Sequence, residues 1–134
     1  MLLFRFGKAG KADGEFQQIS GVSVDNDGNI YVLDEGREKV QVFDKDGKFL
    51  SQFGGDGLAL RRLVFDSKKG EVIASDYYNH KLKVFNMKGE LLRENGQYGT
   101  GLGDLWFPYG LALTKDGKIA VAERENHRVK VYTV

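Results

Sequence analysis

The stretch DYYNHKLKVF, residues 76–85, decides the fold because nearly the same order of residues returns as ERENHRVKVY at 123–132. A third copy, DEGREKVQVF, covers residues 34–43. Each copy begins on an acidic residue, carries Val or Leu six positions later and reaches an aromatic ring three positions after that. A pattern that recurs at about 40-residue spacing indicates a fold built from repeated structural units.

The repeat extends beyond these copies in both directions. Each unit has four short stretches of alternating polar and apolar residues, which we name a, b, c and d in chain order, with glycine in the a–b and c–d turns. Strand a and the a–b turn lie in GVSVDNDG (21–28), RLVFDSKKG (62–70) and GLALTKDG (110–117). The c–d turn and strand d lie in GKFLSQFG (47–54) and GELLRENG (89–96). Such connections are hairpin signals, because glycine accepts the positive φ that tight turns need. The sequence therefore predicts an all-β propeller of four-stranded blades.

The b–c segment resembles the NHL repeat, whose name comes from an Asn-His-Leu triplet. The copies YNHKLKVF and ENHRVKVY fit that pattern, whereas GREKVQVF departs from it because Arg37 and Glu38 replace Asn and His. The resemblance implies a propeller of six blades and a similarity to the C-terminal domains of tripartite-motif (TRIM-NHL) proteins. We predict one domain over residues 1–134. Its repeats cover approximately 20–54, 62–96 and 109–134, together with residues 2–7.

The N-terminal stretch LLFRFG (2–7) aligns with FLSQFG (49–54), so it is predicted to be an outer d strand with no a, b or c strand before it. The C-terminal stretch ends on a c strand. The count is twelve strands, or three blades, which is fewer than a closed propeller needs. We predict a homodimer that closes a six-bladed ring, in which residues 2–6 of each chain complete the third blade of the other. The alternatives are a fragment of a longer propeller and a self-contained open arc.

Composition excludes several classes of protein. The net charge is +1, which gives no global electrostatic case for binding nucleic acid or an anionic membrane. There is no cysteine, so disulfides and thiolate metal sites are absent. No apolar run approaches the ~18 residues of a membrane span. We expect a cytoplasmic protein without membrane partners.

Loops on a rigid scaffold concentrate binding residues, so the d–a and b–c loops, which share one rim of a propeller, are the predicted binding face. Nine basic and ten acidic residues fall on this rim, a mixed surface that favours a protein or peptide partner over RNA. We expect Tyr77, Tyr78 and Tyr98 to be exposed there, and Trp106 and Phe107 to wedge between blades. The candidate binding residues are Arg37, Arg61, Arg62, Tyr77, Tyr78, Tyr98, Trp106, Tyr109, Arg124 and His127.

The predicted function is therefore noncatalytic recognition of a protein or peptide through this rim. Single-stranded RNA on the same face is the first alternative, because some TRIM-NHL propellers bind it there. A metal-dependent lyase or hydrolase of the six-bladed propeller type is a distant one. The sequence has no nucleophile or phosphate-cradling motif, so no catalytic residue, metal site or cofactor is predicted.

Two sets of residues that invite a metal interpretation are predicted to be structural. DNDGN (25–29) and DKDGK (44–48) resemble the start of a calcium loop, but the twelfth position is Gly36 or Gly55 where a glutamate is needed. His80 and His127 occupy equivalent turns, where packing or hydrogen bonding is expected. The repeated acids Asp34, Asp76 and Glu123, and with them Asn79 and Asn126, are expected to accept backbone N–H groups of the b–c turns, where asparagine also tolerates the left-handed conformation.

Overall fold

The computed structural model describes residues 1–55, 57–99 and 101–134. Asp56, one of the ten acidic residues counted on the rim, lies outside the described residues. Within them the chain forms strands and turns, with one short 3-10 turn at Arg124–Asn126. The strands are β1 (Lys8–Ala9), β2 (Glu15–Phe16), β3 (Ile19–Val24), β4 (Ile30–Asp34), β5 (Lys39–Phe43), β6 (Phe49–Gly54), β7 (Leu60–Asp66), β8 (Glu71–Asp76), β9 (Lys81–Phe85), β10 (Leu91–Asn95), β11 (Pro108–Leu113), β12 (Ile119–Glu123) and β13 (Arg128–Tyr132).

Three antiparallel sheets follow one another along the chain, each made of consecutive strands. Sheet 1 has the order β3-β4-β5-β6, sheet 2 the order β7-β8-β9-β10, and sheet 3 the order β11-β12-β13. Because every connection within a sheet is a hairpin, successive loops alternate between two opposite rims. The prediction of an all-β fold with three successive antiparallel blades is confirmed. Residues 2–6, predicted to be an outer strand that completes the third blade of a second copy, do not form a strand in the single chain.

The sheets stack face to face through apolar side chains. Between sheets 1 and 2 the core includes Leu33 and Val40 on one side and Leu63 and Val72 on the other. A second core joins sheets 2 and 3 and includes Leu82. Full burial of such a side chain contributes about 1.5–3 kcal/mol, so the stack is a rigid support for the loops at its rim.

The hairpin turns explain the calcium-like motifs. In the β3–β4 turn, one carboxylate oxygen of Asp25 accepts the backbone N–H groups of Asp27 and Asn29, both at 2.9 Å. Asp44 accepts the backbone N–H groups of Asp46 and Lys48 in the β5–β6 turn in the same way. These aspartates hold their own turns, as the missing twelfth-position glutamate predicts.

The b–c turns depart from the prediction in one respect. The left-handed conformation is adopted by Glu38, His80 and His127, with φ of 54°, 57° and 53°, and not by the asparagines before the two histidines. Asn79 instead donates its amide to both carboxylate oxygens of Asp76, at 2.8 and 2.9 Å. The asparagine side chain therefore braces the buried acid, and the turn geometry falls on the next residue.

Candidate binding site on the loop rim

Three buried carboxylates fix the rim loops to the sheets. Asp34, Asp76 and Glu123 end the second strand of each sheet, and each is at most 1% exposed. They accept the backbone N–H groups of Gln17, Ala59 and Trp106 at 2.8, 2.8 and 2.9 Å, respectively. Their main partners thus lie in the preceding d–a loops, and the predicted bond within the b–c turn is made by Asp34 to the N–H of Gly36. A charged acceptor in each repeat holds the loops in place.

A cluster of arginine and tyrosine side chains covers the rim over sheets 2 and 3. We define the arginine–tyrosine cluster as Arg61, Arg62, Tyr77, Tyr78, Tyr109 and Arg124. The Tyr109 ring has the Arg62 guanidinium 4.4 Å from its centroid and that of Arg124 5.0 Å away. Arg61 lies over the rings of Tyr77 and Tyr78 at 5.8 and 5.4 Å. Cation–π contacts of this kind hold flexible arginine side chains in defined positions.

Acidic neighbours link this cluster to adjoining sheets. Arg61 forms a salt bridge with Glu35 in the β4–β5 turn of sheet 1, with 3.1 Å between Nε and Oε1. The Tyr77 hydroxyl donates to Glu125 after β12 at 3.0 Å, and burial together with this carboxylate raises the pKa of Tyr77. Within the described part of the chain, no carboxylate lies within salt-bridge distance of Arg62 or Arg124. The cluster and its partners therefore span three sheets, and two of its guanidinium groups have no carboxylate partner among the described residues.

A second aromatic group lies at the base of the longest loop. The His80 ring is 4.6 Å from that of Tyr98 and 4.5 Å from that of Phe107. Trp106 adjoins Tyr98 at 6.0 Å. The backbone N–H of Phe107 donates to Nδ1 of His80 at 3.0 Å, which requires that this nitrogen be unprotonated. This group joins the b–c loop of sheet 2 to the d–a loop that leads into sheet 3.

The structure corrects two expectations about aromatic residues. Tyr77 was expected to be exposed, but it is 8% exposed because Tyr78, Phe107 and Tyr109 surround its ring. Trp106 and Phe107 were expected to wedge between blades, but the side chain buried between sheets 2 and 3 is that of Leu105. Trp106 and Phe107 pack at the rim, where both are half-buried.

The remaining candidate residues fall in different places. Tyr78 and Tyr98 are 63% and 64% exposed, as expected. Arg37 donates to the carbonyl oxygens of Ala12 and Glu15 at 3.3 and 3.5 Å, so it supports the loop before sheet 1 and lies outside the arginine–tyrosine cluster. His127 is exposed in its left-handed turn. The hydrogen bond and ring contacts of His80 agree with its expected structural role. The acidic partners Glu35 and Glu125 were missed, because no local pattern indicates contacts between different sheets.

Burial also changes the charge balance on the rim. Three of the nine acidic rim residues that the structure describes are buried as loop anchors, which leaves six at the surface against nine basic ones. In the described residues no group of three His, Asp or Glu side chains has the arrangement of a metal site. Among the described rim residues, the side chains that reach solvent are therefore more basic than the sequence count indicates.

The bond to His80 predicts a pH-dependent stability. Burial is the main cause that lowers the pKa of His80 below its ordinary value, against an opposing effect of Asp76. The unfolded chain then binds a proton on His80 more readily than the folded chain does. The stabilisation that neutral His80 gives the folded state is therefore complete above about pH 6.5, and it is lost as the pH falls below that value. We expect the melting temperature of His80→Asn to depend less on pH between about 7 and 5 than that of the wild type.

Asparagine is the matched replacement here, because it tolerates the left-handed conformation and its amide oxygen is able to accept the Phe107 N–H. Thermal melts at successive pH values measure the effect. Identical pH profiles for the two proteins would contradict the assignment of His80 as a neutral acceptor.

Comparison with known proteins follows the repeat boundaries. The family model for the NHL repeat matches residues 16–43 and 105–132. This chain carries NHL repeats. Both matched segments run from the anchored d–a loop to the end of strand c, the part that holds the acidic anchor and the left-handed turn.

The relatives of these NHL repeats are TRIM-NHL proteins. Protein brain tumor of Drosophila melanogaster is 29% identical over 135 residues, which cover 96% of this chain and 12% of that protein. The B-box type zinc finger protein ncl-1 of Caenorhabditis elegans is 32% identical over 96% of this chain and 15% of its own length. The NHL-repeat chain therefore spans less than one sixth of either relative.

Solved structures support the propeller fold. A streptogramin B lyase superposes with a TM-score of 0.65 at 16% identity, over 87% of this chain and 40% of the other. Virginiamycin B lyase of Staphylococcus aureus gives 0.63 at 17% identity, over 87% and 41%. At these identities the similarity concerns the fold alone.

None of the helical segments in the described residues is long and apolar enough to cross a membrane.

Proposed function

We propose that this chain is a noncatalytic cytoplasmic scaffold that binds a protein or peptide partner on its loop rim. The observation that carries the proposal is the arginine–tyrosine cluster, in which the ring of Tyr109 lies between Arg62 and Arg124. Tyrosine and arginine dominate the energetics of protein interfaces, since both offer large contact area and directional hydrogen bonds. Their positions are fixed before a ligand arrives, which lowers the entropic cost of binding.

The two guanidinium groups favour a partner that carries carboxylates. Arginine pairs with carboxylate through two parallel hydrogen bonds, and such charge-assisted bonds are stronger than neutral ones. Exposed Tyr78 adds an aromatic surface beside them. An acidic peptide with an aromatic or aliphatic side chain next to its carboxylates fits these features.

The test uses an array of fluorescent peptides of acidic, neutral and basic composition, read by anisotropy. We expect acidic peptides to bind with micromolar or tighter affinity and Arg62→Ala/Arg124→Ala to weaken that binding at least tenfold. Lys45→Ala/Lys88→Ala removes the same charge from exposed turns on the opposite rim and should leave binding unchanged. Equal affinities of the wild type and the arginine variant would contradict the proposed site.

Single-stranded RNA is a second candidate, favoured by the burial of the three acidic rim anchors and by the tyrosine rings available for stacking on bases. A salt titration with short single-stranded RNA distinguishes it. Micromolar affinity that falls steeply with salt would support RNA, because each phosphate contact releases counterions. A metal-dependent lyase or hydrolase has no supporting observation among the described residues.

The proposal includes a homodimer, in which residues 2–6 of each copy add the outer strand to sheet 3 of the other. Such a pairing forms one ring of six blades, and the loop rim of that ring carries two arginine–tyrosine clusters.

A further inference from the structure

Phe107 has a backbone conformation that bulky residues rarely adopt. Its φ is +51°, in the left-handed region. The other described non-glycine residues with a positive φ are Glu38, His80 and His127, which all lie in b–c turns. Phe107 instead lies in the d–a loop, directly before β11. A large residue stays in this region only where its surroundings impose it, and such positions are concentrated at binding and switching segments.

Comparison of the three sheets shows what imposes it. The residues that correspond to Phe107 are Gln18 and Ala59, because each of the three carbonyl oxygens accepts the N–H of the residue after an acidic anchor. The N–H groups of Gln18 and Ala59 donate to the anchor carboxylate of their own sheet, both at 2.8 Å, and neither residue has a positive φ. The Phe107 N–H donates instead to Nδ1 of His80 on sheet 2 at 3.0 Å. Sheet 3 thus uses an acceptor from its neighbour at this position.

The change of acceptor makes this one contact sensitive to pH near neutrality. A carboxylate accepts hydrogen bonds when ionised, and its ordinary pKa is about 4. An imidazole nitrogen accepts only when it carries no proton, and the ordinary pKa of histidine is about 6.5. Burial lowers the pKa of His80, so the proton is taken up below that pH. A protonated Nδ1 would face the Phe107 N–H as a second donor.

The other ionisable groups near this contact ordinarily titrate elsewhere. Asp76, beneath the same turn, favours the proton on His80 and partly opposes the effect of burial. The segments that adjoin His80 and Phe107 also carry Tyr77, Tyr78, Lys81, Tyr98, Asp104, Glu123, Arg124 and Glu125. Carboxylates ordinarily titrate near pH 4, and tyrosine, lysine and arginine near pH 10 or above. A change at this contact between pH 7.5 and 5 is therefore assigned to His80.

Phe107 also holds part of the arginine–tyrosine cluster. Its ring lies 4.9 Å from that of Tyr77, and its carbonyl oxygen accepts the N–H of Arg124 at 3.2 Å. Tyr109, whose ring lies between two guanidinium groups of the cluster, is two residues further along the chain. A rotation of the Phe107 backbone out of the left-handed region would therefore move residues on both sides of the cluster.

Trp106 adds a second unfavourable feature next to the first. Its indole N–H is buried and has no hydrogen-bond partner among the described residues. A buried donor without an acceptor destabilises the arrangement that contains it, and water would satisfy this N–H if the segment moved outward. The left-handed Phe107 and the unpaired Trp106 are thus adjacent, and the bond to His80 holds them in place.

We propose that His80 is a pH-dependent latch on the binding rim. Neutral His80 keeps Phe107 in its left-handed conformation and the arginine–tyrosine cluster in its binding arrangement. When His80 takes up a proton, the Phe107 N–H loses its acceptor, and Phe107 and Trp106 move away from Tyr77. The affinity for an acidic peptide then falls. This last step rests on the proposed function, whereas the movement of Trp106 does not.

The chain has a single tryptophan, so its fluorescence reports directly on the latch. We expect the emission maximum to shift to longer wavelength between pH 7.5 and 5, while the far-UV circular dichroism of the sheets stays unchanged. His80→Asn keeps the left-handed turn and an acceptor that takes up no proton, so its emission should not shift. His80→Gly keeps the turn but removes the acceptor, so its emission should be shifted already at pH 7.5.

His127→Asn is the matched control, because His127 occupies the equivalent turn of sheet 3 and is exposed. It should retain the full wild-type shift. Wild-type emission that does not change with pH, or a shift of equal size in His80→Asn, would overturn the latch.

Peptide anisotropy at the two pH values separates the latch from the proposed function. The affinity of the wild type for an acidic peptide should fall at least threefold more than that of His80→Asn, since protonation of the peptide itself affects both proteins equally. Equal losses in the two proteins would overturn the control of binding by His80. If acidic peptides bind at neither pH, the proposed function is wrong, and the fluorescence of the variants decides on the latch alone.

Discussion

Asp76→Ala is expected to lower the free energy of unfolding by about 3–5 kcal/mol, because it removes a buried charge that several groups share. The carboxylate accepts the Ala59 N–H at 2.8 Å and two bonds from Asn79, and Lys83 lies 3.5 Å away. Alanine leaves the buried N–H of Ala59 without its acceptor, which costs about 1–3 kcal/mol, and takes one of two carboxylate partners from Lys83. The loss is a large share of the ~5–15 kcal/mol that stabilises a typical domain.

Thermal melts measure this effect, and a decrease of roughly 10–20 °C is expected for a chain of this size. Asp46→Ala is the control, since Asp46 is an exposed acid in the β5–β6 turn and its removal should change stability by about 0.5 kcal/mol or less. A melting temperature for Asp76→Ala within about 3 °C of the wild type would show that the buried acids are not what fixes the rim loops.

Much of this architecture could be predicted from the sequence because it depends on local patterns. Alternation of polar and apolar residues identifies strands, and glycine at the hairpin turns identifies their ends, so the strand order within each sheet follows directly. The acidic residues at the end of each second strand were recognisable as structural, since a binding role would not recur in every repeat.

The composition of the binding site depends on contacts between sheets and could not be read in the same way. Arg61 meets Glu35, and Tyr77 meets Glu125, only because stacking brings together loops that are 26 and 48 positions apart in the chain. The burial of Tyr77 has the same origin, since its ring is covered by residues of the next repeat. The residue types of the b–c turn also did not identify which residue has the left-handed conformation, because Glu38 adopts it as His80 does.

Gly89→Ala is expected to be the other strongly destabilising change, because this glycine meets two constraints at once. Its φ is +83°, a left-handed conformation that costs a residue with a Cβ atom about 1–2 kcal/mol. An added Cβ would also lie 2.7 Å from the Cβ of Phe53 on the neighbouring sheet. Overpacking of this kind adds about 1–3 kcal/mol, so the expected total is about 2–5 kcal/mol.

Gly117 offers a matched control within the same chain. It has a φ of +82° in the β11–β12 hairpin turn of sheet 3, but a Cβ there would have no neighbour within 4 Å. Gly117→Ala should therefore cost only the backbone share of about 1–2 kcal/mol. Urea unfolding with linear extrapolation gives both values, and the difference between them isolates the contact between sheets 1 and 2.

The third member of the series reports on the N-terminal segment. Gly47 has a φ of +86°, and a Cβ on it would lie 2.8 Å from the Phe6 ring, the contact that corresponds to Gly89 and Phe53. If residues 2–6 were held only by sheet 1, the segment would shift and Gly47→Ala would cost little more than Gly117→Ala. If a second copy holds them in a strand, the segment cannot shift freely, and the cost should approach that of Gly89→Ala.

Changing Phe53 to alanine should reduce the cost of Gly89→Ala to that of Gly117→Ala, because the ring that the added Cβ meets is then gone. If Gly89→Ala costs as much in this background as in the wild type, the Phe53 ring does not set the spacing between the sheets.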